Sequence, residues 1–393
     1  MNKKLMSLVV LMSGSMAFAQ ATTSATPSTP AATQLSTQPQ EQGATEWKPL
    51  KAWAGDLRLR FRDQKVSTNP DARIFEVLRA RLAYRADIEP DLTANLRLAT
   101  ATSPISANQT LGDSTAPGMP RRSFGLDLAY FEYRPLQGLQ VWAGKTPVSF
   151  YSPAKDQLSY DADLDFEGAS VKWASEPGDF AYFANLGSSL VSENFGGASG
   201  DIPDMALLGA QIGASIKTFG TWTADVAYYT WDNAQGRTGA QVTGAAVAAN
   251  ARNNGNTTDA SGALASKFNI LQASLDWQHA WGDITTELFY DYGNNADANL
   301  GGNSYETGLV VKWKSLQLGY GHVMKEADSQ LGAFADSDTN GGGTDNIGHR
   351  VNLTWSATKN FSLALTRYDG KRSISTATPS DFSETQFDLM GTF

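Results

Sequence analysis

The chain has no cysteine and only three histidines in 393 residues. The first absence excludes disulfides, thiolate metal sites and a cysteine nucleophile. The second leaves His279, His322 and His349 as thin material for a histidine-rich metal centre. Charge is also scarce. Asp, Glu, Lys and Arg make up 18% of the chain and hydrophobic residues 41%, where a soluble domain usually carries about 25% and 45–50%. That composition fits neither an ordinary soluble enzyme nor a helical membrane protein. The formal charge of −9 lacks the basic excess of a nucleic-acid binder, so no nucleic-acid partner is expected, and no cofactor. Long hydrophobic runs are missing as well. Beyond residue 20 every apolar run is interrupted by polar residues within a few positions, whereas a spanning helix needs about 20. If the chain enters a membrane, it must do so as a closed barrel, because lipid offers no partner to an open sheet edge.

Residues 1–19, MNKKLMSLVVLMSGSMAFA, open with Lys3 and Lys4 and continue with a short apolar stretch. They end in the small-x-small triplet Ala17-Phe18-Ala19. This is the pattern of a secretory signal peptide, too short in its apolar part for an anchor. Without Lys3 and Lys4, 29 basic side chains stand against 40 acidic ones, a charge of −11. Residues 20–45 are Thr, Ala, Pro, Ser and Gln with almost no large apolar group, so they cannot bury enough surface to offset chain entropy. The expected organisation is a signal peptide over 1–19, a disordered periplasmic segment over 20–52 and a transmembrane β-barrel over 53–393.

From residue 53 the hydrophobic period is two. LRLRFR (57–62), LRARLAYRADI (78–88), LTANLRLAT (92–100), WTADVAYYT (222–230), ITTELFYDY (284–292), YETGLVVKW (305–313) and TQFDLMGTF (385–393) all alternate, as half-buried strands do. Filling the gaps with weaker segments predicts an all-β antiparallel barrel of about 16 strands, each close to the ten residues that a tilted strand needs to cross a bilayer. The connections alternate between short and long, which predicts tight periplasmic turns and long extracellular loops. Trp53, Trp173, Trp222, Trp277, Trp281, Trp313 and Trp355 sit beside the short turns. Amphipathic rings favour the headgroup level, where barrels carry aromatic girdles.

Alternation also says which face is wet. Leu57, Leu59 and Phe61 oppose Arg58, Arg60 and Arg62; Leu78, Ala80, Leu82 and Tyr84 oppose Arg79, Arg81 and Arg85; Leu96 and Leu98 oppose Arg97. An Arg facing lipid costs roughly 2–4 kcal/mol at the midplane, so reversing the first strand would cost about 6–12 kcal/mol. The arginine face must look inward, toward water. Lys172, Asp225, Gln272, Asp276, Glu287, Glu306, Gln386 and Asp388 share that expected lumen face. No large apolar inner face is evident, while Glu132 and Lys145 fall on the nominal lipid face under strict alternation.

Three stretches resemble a Gram-negative outer-membrane porin. They are GDLRLRFR (55–62) followed by LRARLAYRADIEPDLTANLRLATA (78–101), then GKTPVSFYSPAKDQLSYDADLDFEGASVKW (144–173), which is similar to the strand, inward loop and returning strand of the putative-porin group, and the ending TQFDLMGTF. The resemblance implies a 16-stranded barrel, often a homotrimer, that passes small hydrophilic solutes and ions through the outer-membrane lipid without turnover. Phe387, Leu389 and Phe393 match the terminal signal that the barrel assembly machinery reads. In general porins a basic wall faces acids on an infolded loop. Here the wall would be Arg58, Arg60, Arg62, Arg79, Arg81, Arg85 and Arg97, and the acids Asp156, Asp161, Asp163 and Asp165 of loop 147–166. Charged walls of this kind set ion selectivity. A substrate-selective anion or sugar channel, and a barrel that merely anchors surface loops as an adhesin, are the alternatives.

Other motifs carry less. Asp161-x-Asp163-x-Asp165 opens like a calcium loop but has Phe166 and Lys172 where the loop needs Gly and Glu. His322 and His349 share the outward parity of adjacent strands, and no Ser beside either completes the trio of an outer-membrane phospholipase. Loop 232–266, rich in Gly, Ala and Asn, reads as a mobile surface loop, with a plug or partner-binding role as the alternative.

Overall fold

A computed structural model describes residues 50–100, 106–113, 117–155, 158–194, 202–244 and 252–393. The proposed signal peptide and nearly all of the proposed N-terminal spacer lie outside these residues. Among the described residues sixteen long strands follow one another: β1 (Lys51–Val66), β2 (Arg73–Glu89), β3 (Leu92–Thr100), β4 (Phe124–Leu136), β5 (Leu139–Pro147), β6 (Asp165–Ala174), β7 (Phe180–Ser192), β8 (Met205–Thr218), β9 (Gly220–Asp232), β10 (Asn269–Trp281), β11 (Ile284–Asn295), β12 (Asn303–Trp313), β13 (Leu316–Lys325), β14 (Asn346–Thr358), β15 (Phe361–Arg372) and β16 (Ser380–Thr392). A two-residue piece, Gln109–Thr110, pairs with β2 at Val77 and Leu78.

Each strand pairs antiparallel with its sequence neighbours, and β1 pairs with β16 from Asp56–Thr392 to Val66–Phe382, which closes the ring. Closure leaves no edge to be satisfied by lipid. The last residue completes the seam: Phe393 and Gly55 exchange backbone hydrogen bonds of 2.9 and 3.1 Å. A Cβ at Gly55 would lie 2.9 Å from the Arg81 carbonyl oxygen and against the Phe393 ring, so a larger residue there would need the strand to shift. Phe387 opposes Phe61 and Leu389 opposes Leu59 across the same seam.

The strands fold as alternation demands, with burial inverted relative to a soluble core. Leu57, Leu82, Leu96, Leu186, Leu271, Leu318 and Leu353 are exposed on the outside of the ring, while Arg60, Gln211, Gln272, Asp276, Glu306, Gln386 and Asp388 are buried. Only a surface that meets acyl chains is built that way. Connections of at most five residues alternate with longer ones, and the seven girdle tryptophans all lie at the short-turn ends of their strands. Trp222, Trp277, Trp281, Phe219 and His279 form one stacked group there.

Two expectations need correction. Strict alternation puts Glu132 on the lipid face, yet it is buried and opposes inward Thr93. A register shift between Arg97 and Leu98 inserts one extra residue at Asp127, and such a bulge flips the parity of everything beyond it. Lys145 does keep its outward parity, and it is matched there by Glu167 at 2.7 Å. The inner face is also not uniformly polar. At the long-loop end, Leu207, Ala227, Tyr229, Trp231 and Ile270 turn inward and join residues of the loops in one apolar cluster.

Candidate pore and constriction

The arginines of the proposed wall point inward from β1, β2 and β3, which are adjacent strands. Arg58 opposes Arg79, and Asp56 opposes Arg81. Like charges this close need acids, and the neighbouring strands supply them. Arg60 makes a two-pronged bond to Asp388 at 2.7 and 2.9 Å. Arg62 does the same to Glu384 at 2.6 and 2.8 Å. Arg81 holds Asp56 at 2.7 Å and Arg79 holds it at 3.2 Å. Arg97 bonds Asp127 on the bulge, and Arg85 lies 3.9 Å from Asp87. Arg58 bonds Asn108 at 2.6 Å and has no carboxylate partner among the described residues. The wall is therefore nearly compensated along its length, through partners that sequence reading passed over.

Residues 148–155 and 158–164, between β5 and β6, run through the interior. Their first half binds the far wall. Phe150 packs on Tyr229 at 4.9 Å and sits over the facing pair Gly187 and Gly209, where a Cβ at Gly209 would come within 2.3 Å of its ring. The Tyr151 amide donates to Gln211 at 2.7 Å, the Tyr151 hydroxyl to Asp276 at 3.4 Å, and the Ser159 hydroxyl to Gln272 at 2.6 Å. The second half reaches the arginines: Asp163 is 3.3 Å from Arg79, and Asp165, the first residue of β6, is 3.4 Å from Arg97. Acids and arginines thus touch, rather than facing one another across a gap. Asp156 lies outside the described residues. Asp161 turns elsewhere, so the three aspartates do not converge, and no metal-binding group of three His, Cys, Asp or Glu occurs among the described residues.

Asp161 instead meets residues 326–345, between β13 and β14. Its amide donates to the Phe334 carbonyl at 2.9 Å, and its carboxylate accepts the Ser337 amide at 3.0 Å. Phe334 stacks flat on Trp231, 4.9 Å between centroids and 6° between planes. One residue beyond Ser337, Asp338 lies 2.5 Å from Arg60 and 3.3 Å from Arg62. Two connections therefore cross the interior together and tie β8–β10 to β1–β2. Burial raises the Asp161 carboxyl, with Asp336 adding to the effect, to about 7. Burial would raise Asp338 too, but Arg60, Arg62 and Arg58 outweigh it and hold that carboxyl at about 2.

The long glycine- and asparagine-rich connection, described over residues 233–244 and 252–268, is not a free surface loop. Asn256, Leu264, Ser266 and Phe268 are almost wholly buried. The Asn256 amide donates to the carbonyls of Ala327 and Gln330 at 2.8 Å each. Asp328 accepts from Thr257, Ser266 and Leu300. Buried polar groups need such partners, and one acid at Asp328 supplies them to two other connections. A short helix, α1 (Gly239–Thr243), belongs to the same connection.

Acids also line the wall opposite the arginines. Asp225 on β9, Asp276 on β10 and Glu287 on β11 face inward about half a circuit from β1 in strand order. Gln278 donates to Asp276 and Glu287 at 3.0 and 3.2 Å. On the outside, His322 and His349 are register partners whose rings stack at 4.4 Å, with Tyr305 and Tyr320 bonded to them.

A closed sixteen-stranded antiparallel barrel, greasy outside and charged inside, with connections folded through its interior, is a porin-type channel of the outer membrane. The chain belongs to the family described as "Putative porin", whose profile matches residues 60–277. Among solved structures it is similar to Pseudomonas putida OprB, at 11% identity and a TM-score of 0.59, covering 87% of this chain and 94% of that one. It is also similar to Salmonella typhi OmpF, solved in complex with daunomycin, at 10% identity and a TM-score of 0.50, covering 87% and 97%. Vibrio cholerae OmpT, solved in a trimer form, matches at 13% identity and a TM-score of 0.49, over 88% of this chain and 99% of that one. No curated protein is significantly similar in sequence. Family and fold point to a channel rather than an enzyme.

Proposed function

We propose that the protein is a passive diffusion channel for small hydrophilic solutes and ions, filtered by size and by charge where residues 148–164 and 326–345 cross the barrel. The observation that carries this reading is the contact of Asp163 and Asp338 with Arg79, Arg60 and Arg62 on the opposite side of those connections from the Phe150 and Phe334 anchors. Fixed charges of both signs in a narrow, low-dielectric passage concentrate a transverse field. Such a site needs no cofactor and performs no chemical step. The short turns then face the periplasm and the long connections the outside. Phe387, Leu389 and Phe393 serve as the assembly signal, and the family resemblance implies a homotrimer.

An anion-preferring channel is the second reading. It is favoured by Arg58 and by Lys172 of β6, cations of the inner face without a carboxylate partner among the described residues. Planar-bilayer recording tests both at once. The porin reading expects stepwise, ohmic conductance, and a protein that inserts without conducting overturns it in favour of an anchored surface protein. The sign of the reversal potential in a potassium chloride gradient decides whether anions are preferred.

A further inference from the structure

Toward the short-turn end, away from the crossing connections, the inner wall of β2–β6 carries a second cluster of polar groups. Arg85 opposes Asn95, Asn95 opposes Tyr130, and Trp142 opposes Ser170. The Tyr130 and Trp142 rings lie 5.6 Å apart, and the Lys172 ammonium sits 4.3 Å from the centre of the Trp142 ring.

These groups are short of acceptors. Among the described residues Asn95 Nδ2 and Trp142 Nε1 have no hydrogen-bond partner, nor has the Ser170 hydroxyl, and Arg85 Nε has only the Asp87 carboxylate, 3.9 Å away. Trp142 is more than nine-tenths buried, and an unmet N–H in that position costs roughly 1–3 kcal/mol. The nearby acids are already engaged. Asp87 is 3.9 Å from Arg85 and accepts from Thr93 and the Leu50 amide; Glu132 is held by Arg134 at 2.7 Å. Lys172 has no ion pair among the described residues. Arg85 is over a third exposed toward the lumen, so the cluster can be reached from the channel.

We propose that this cluster is a binding site for small aromatic carboxylates in transit, an inference that rests on the channel reading. The Arg85 cation, whose own acid lies 3.9 Å away, and the unmet Asn95 N–H beside it select a carboxylate, and Lys172 stands beyond the ring end of the site, over Trp142. The planar Arg85 guanidinium and Asn95 amide, side by side on paired strands, suit its two oxygens. Tyr130 and Trp142, inclined at 46° to each other, supply apolar edges and faces for a ring. Two strand spacings, about 10 Å, separate the Arg85 and Tyr130 positions, which is the length of a benzoate-sized molecule with a contact at each end.

Benzoate, acetate and benzyl alcohol are the probes. Saturation-transfer NMR on detergent-solubilised barrel reads binding, and single-channel recording in potassium chloride reads block. Benzoate binds and interrupts the current at concentrations about tenfold below those for acetate, and benzyl alcohol does neither. Arg85→Met and Asn95→Leu each raise the half-blocking benzoate concentration about tenfold. Arg85→Lys keeps part of the effect, and Trp142→Leu removes the preference for benzoate over acetate. Equal effects of benzoate and acetate, or benzoate affinity unmoved by Arg85→Met and Asn95→Leu, overturn the site. Conductance without benzoate binding defeats this proposal alone, whereas benzoate binding to a protein that carries no current defeats the channel reading and leaves the site standing.

Discussion

The Asp161 carboxylate accepts the Ser337 amide at 3.0 Å, and this bond helps fasten the connection after β5 to the one after β13 in the middle of the barrel. The joint is titratable. Burial is the largest influence on it, Asp336 is the acid that repels it most, and Asp163 adds a smaller repulsion. The Asp161 carboxyl is raised to about 7, so its contribution to stability is full below its unfolded value, near 4, and is lost as pH rises through 7. Conductance and its fluctuation are expected to increase between pH 6 and 8, as charged Asp161 repels Asp336. Asp161→Asn should remove that step. Asp338, held at about 2, contributes in the opposite sense, from above the unfolded value down to about pH 2, and adds nothing across this range. Single-channel recording at stepped pH checks both statements, and a step that survives in Asp161→Asn refutes them.

Phe150 rests in the space left by Gly187 and Gly209. Gly209→Val fills that space, so the ring must leave it. Overpacking of this kind costs about 1–3 kcal/mol. The first half of residues 148–164 should detach from the wall, and conductance should rise while the midpoint of urea unfolding falls. An unchanged conductance would show that Phe150 does not hold the constriction in place.

Arg60 is bonded on both sides, to Asp388 in the wall and to Asp338 in the crossing connection. Asp388→Asn leaves Arg60 one acid. The stability lost should fall below the roughly 3–5 kcal/mol that follows from breaking an isolated buried pair, since Asp338 remains. Ion preference should move toward anions, read as a shift of reversal potential in a salt gradient. Arg60→Gln should shift it the other way. Shifts of the same sign in the two variants would contradict a charge filter at this position.

The terminal residue is the last prediction. Phe393→Ala removes the ring that lies against Gly55 but keeps the backbone bonds of the seam. If Phe393 is part of an assembly signal, the yield of inserted barrel should drop in cells while refolding in detergent is little changed. Equal losses in both settings would assign Phe393 a purely structural role.

Much of the fold was legible in the sequence because a membrane barrel obeys a simple rule. Leu57, Leu59 and Phe61 must meet lipid, Arg58, Arg60 and Arg62 must not, and the tryptophans mark one rim. The bulge at Asp127 was not legible, since one extra residue leaves no mark in composition and shows only when Arg97 and Leu98 take their partners. The pairing of Arg60 with Asp388 was hidden for another reason: the two are 328 residues apart and meet only after the ring has closed. The inward path of residues 326–345 was missed because Asp328, Asp338 and Asn340 look, in sequence, like any solvated loop. Asp338 beside Arg60 is the contact that sequence reading should have sought once the wall was found to need acids. The acids on 148–164 were found, but their distance from the arginines was misjudged, because nothing local says how far a connection will travel.

The seam joins the first and sixteenth strands of the ring. It cannot form until all the strands between them have been made. Until then both edges of the sheet stay unpaired, and any factor that shields those edges acts on a form of the molecule that the finished cylinder no longer displays.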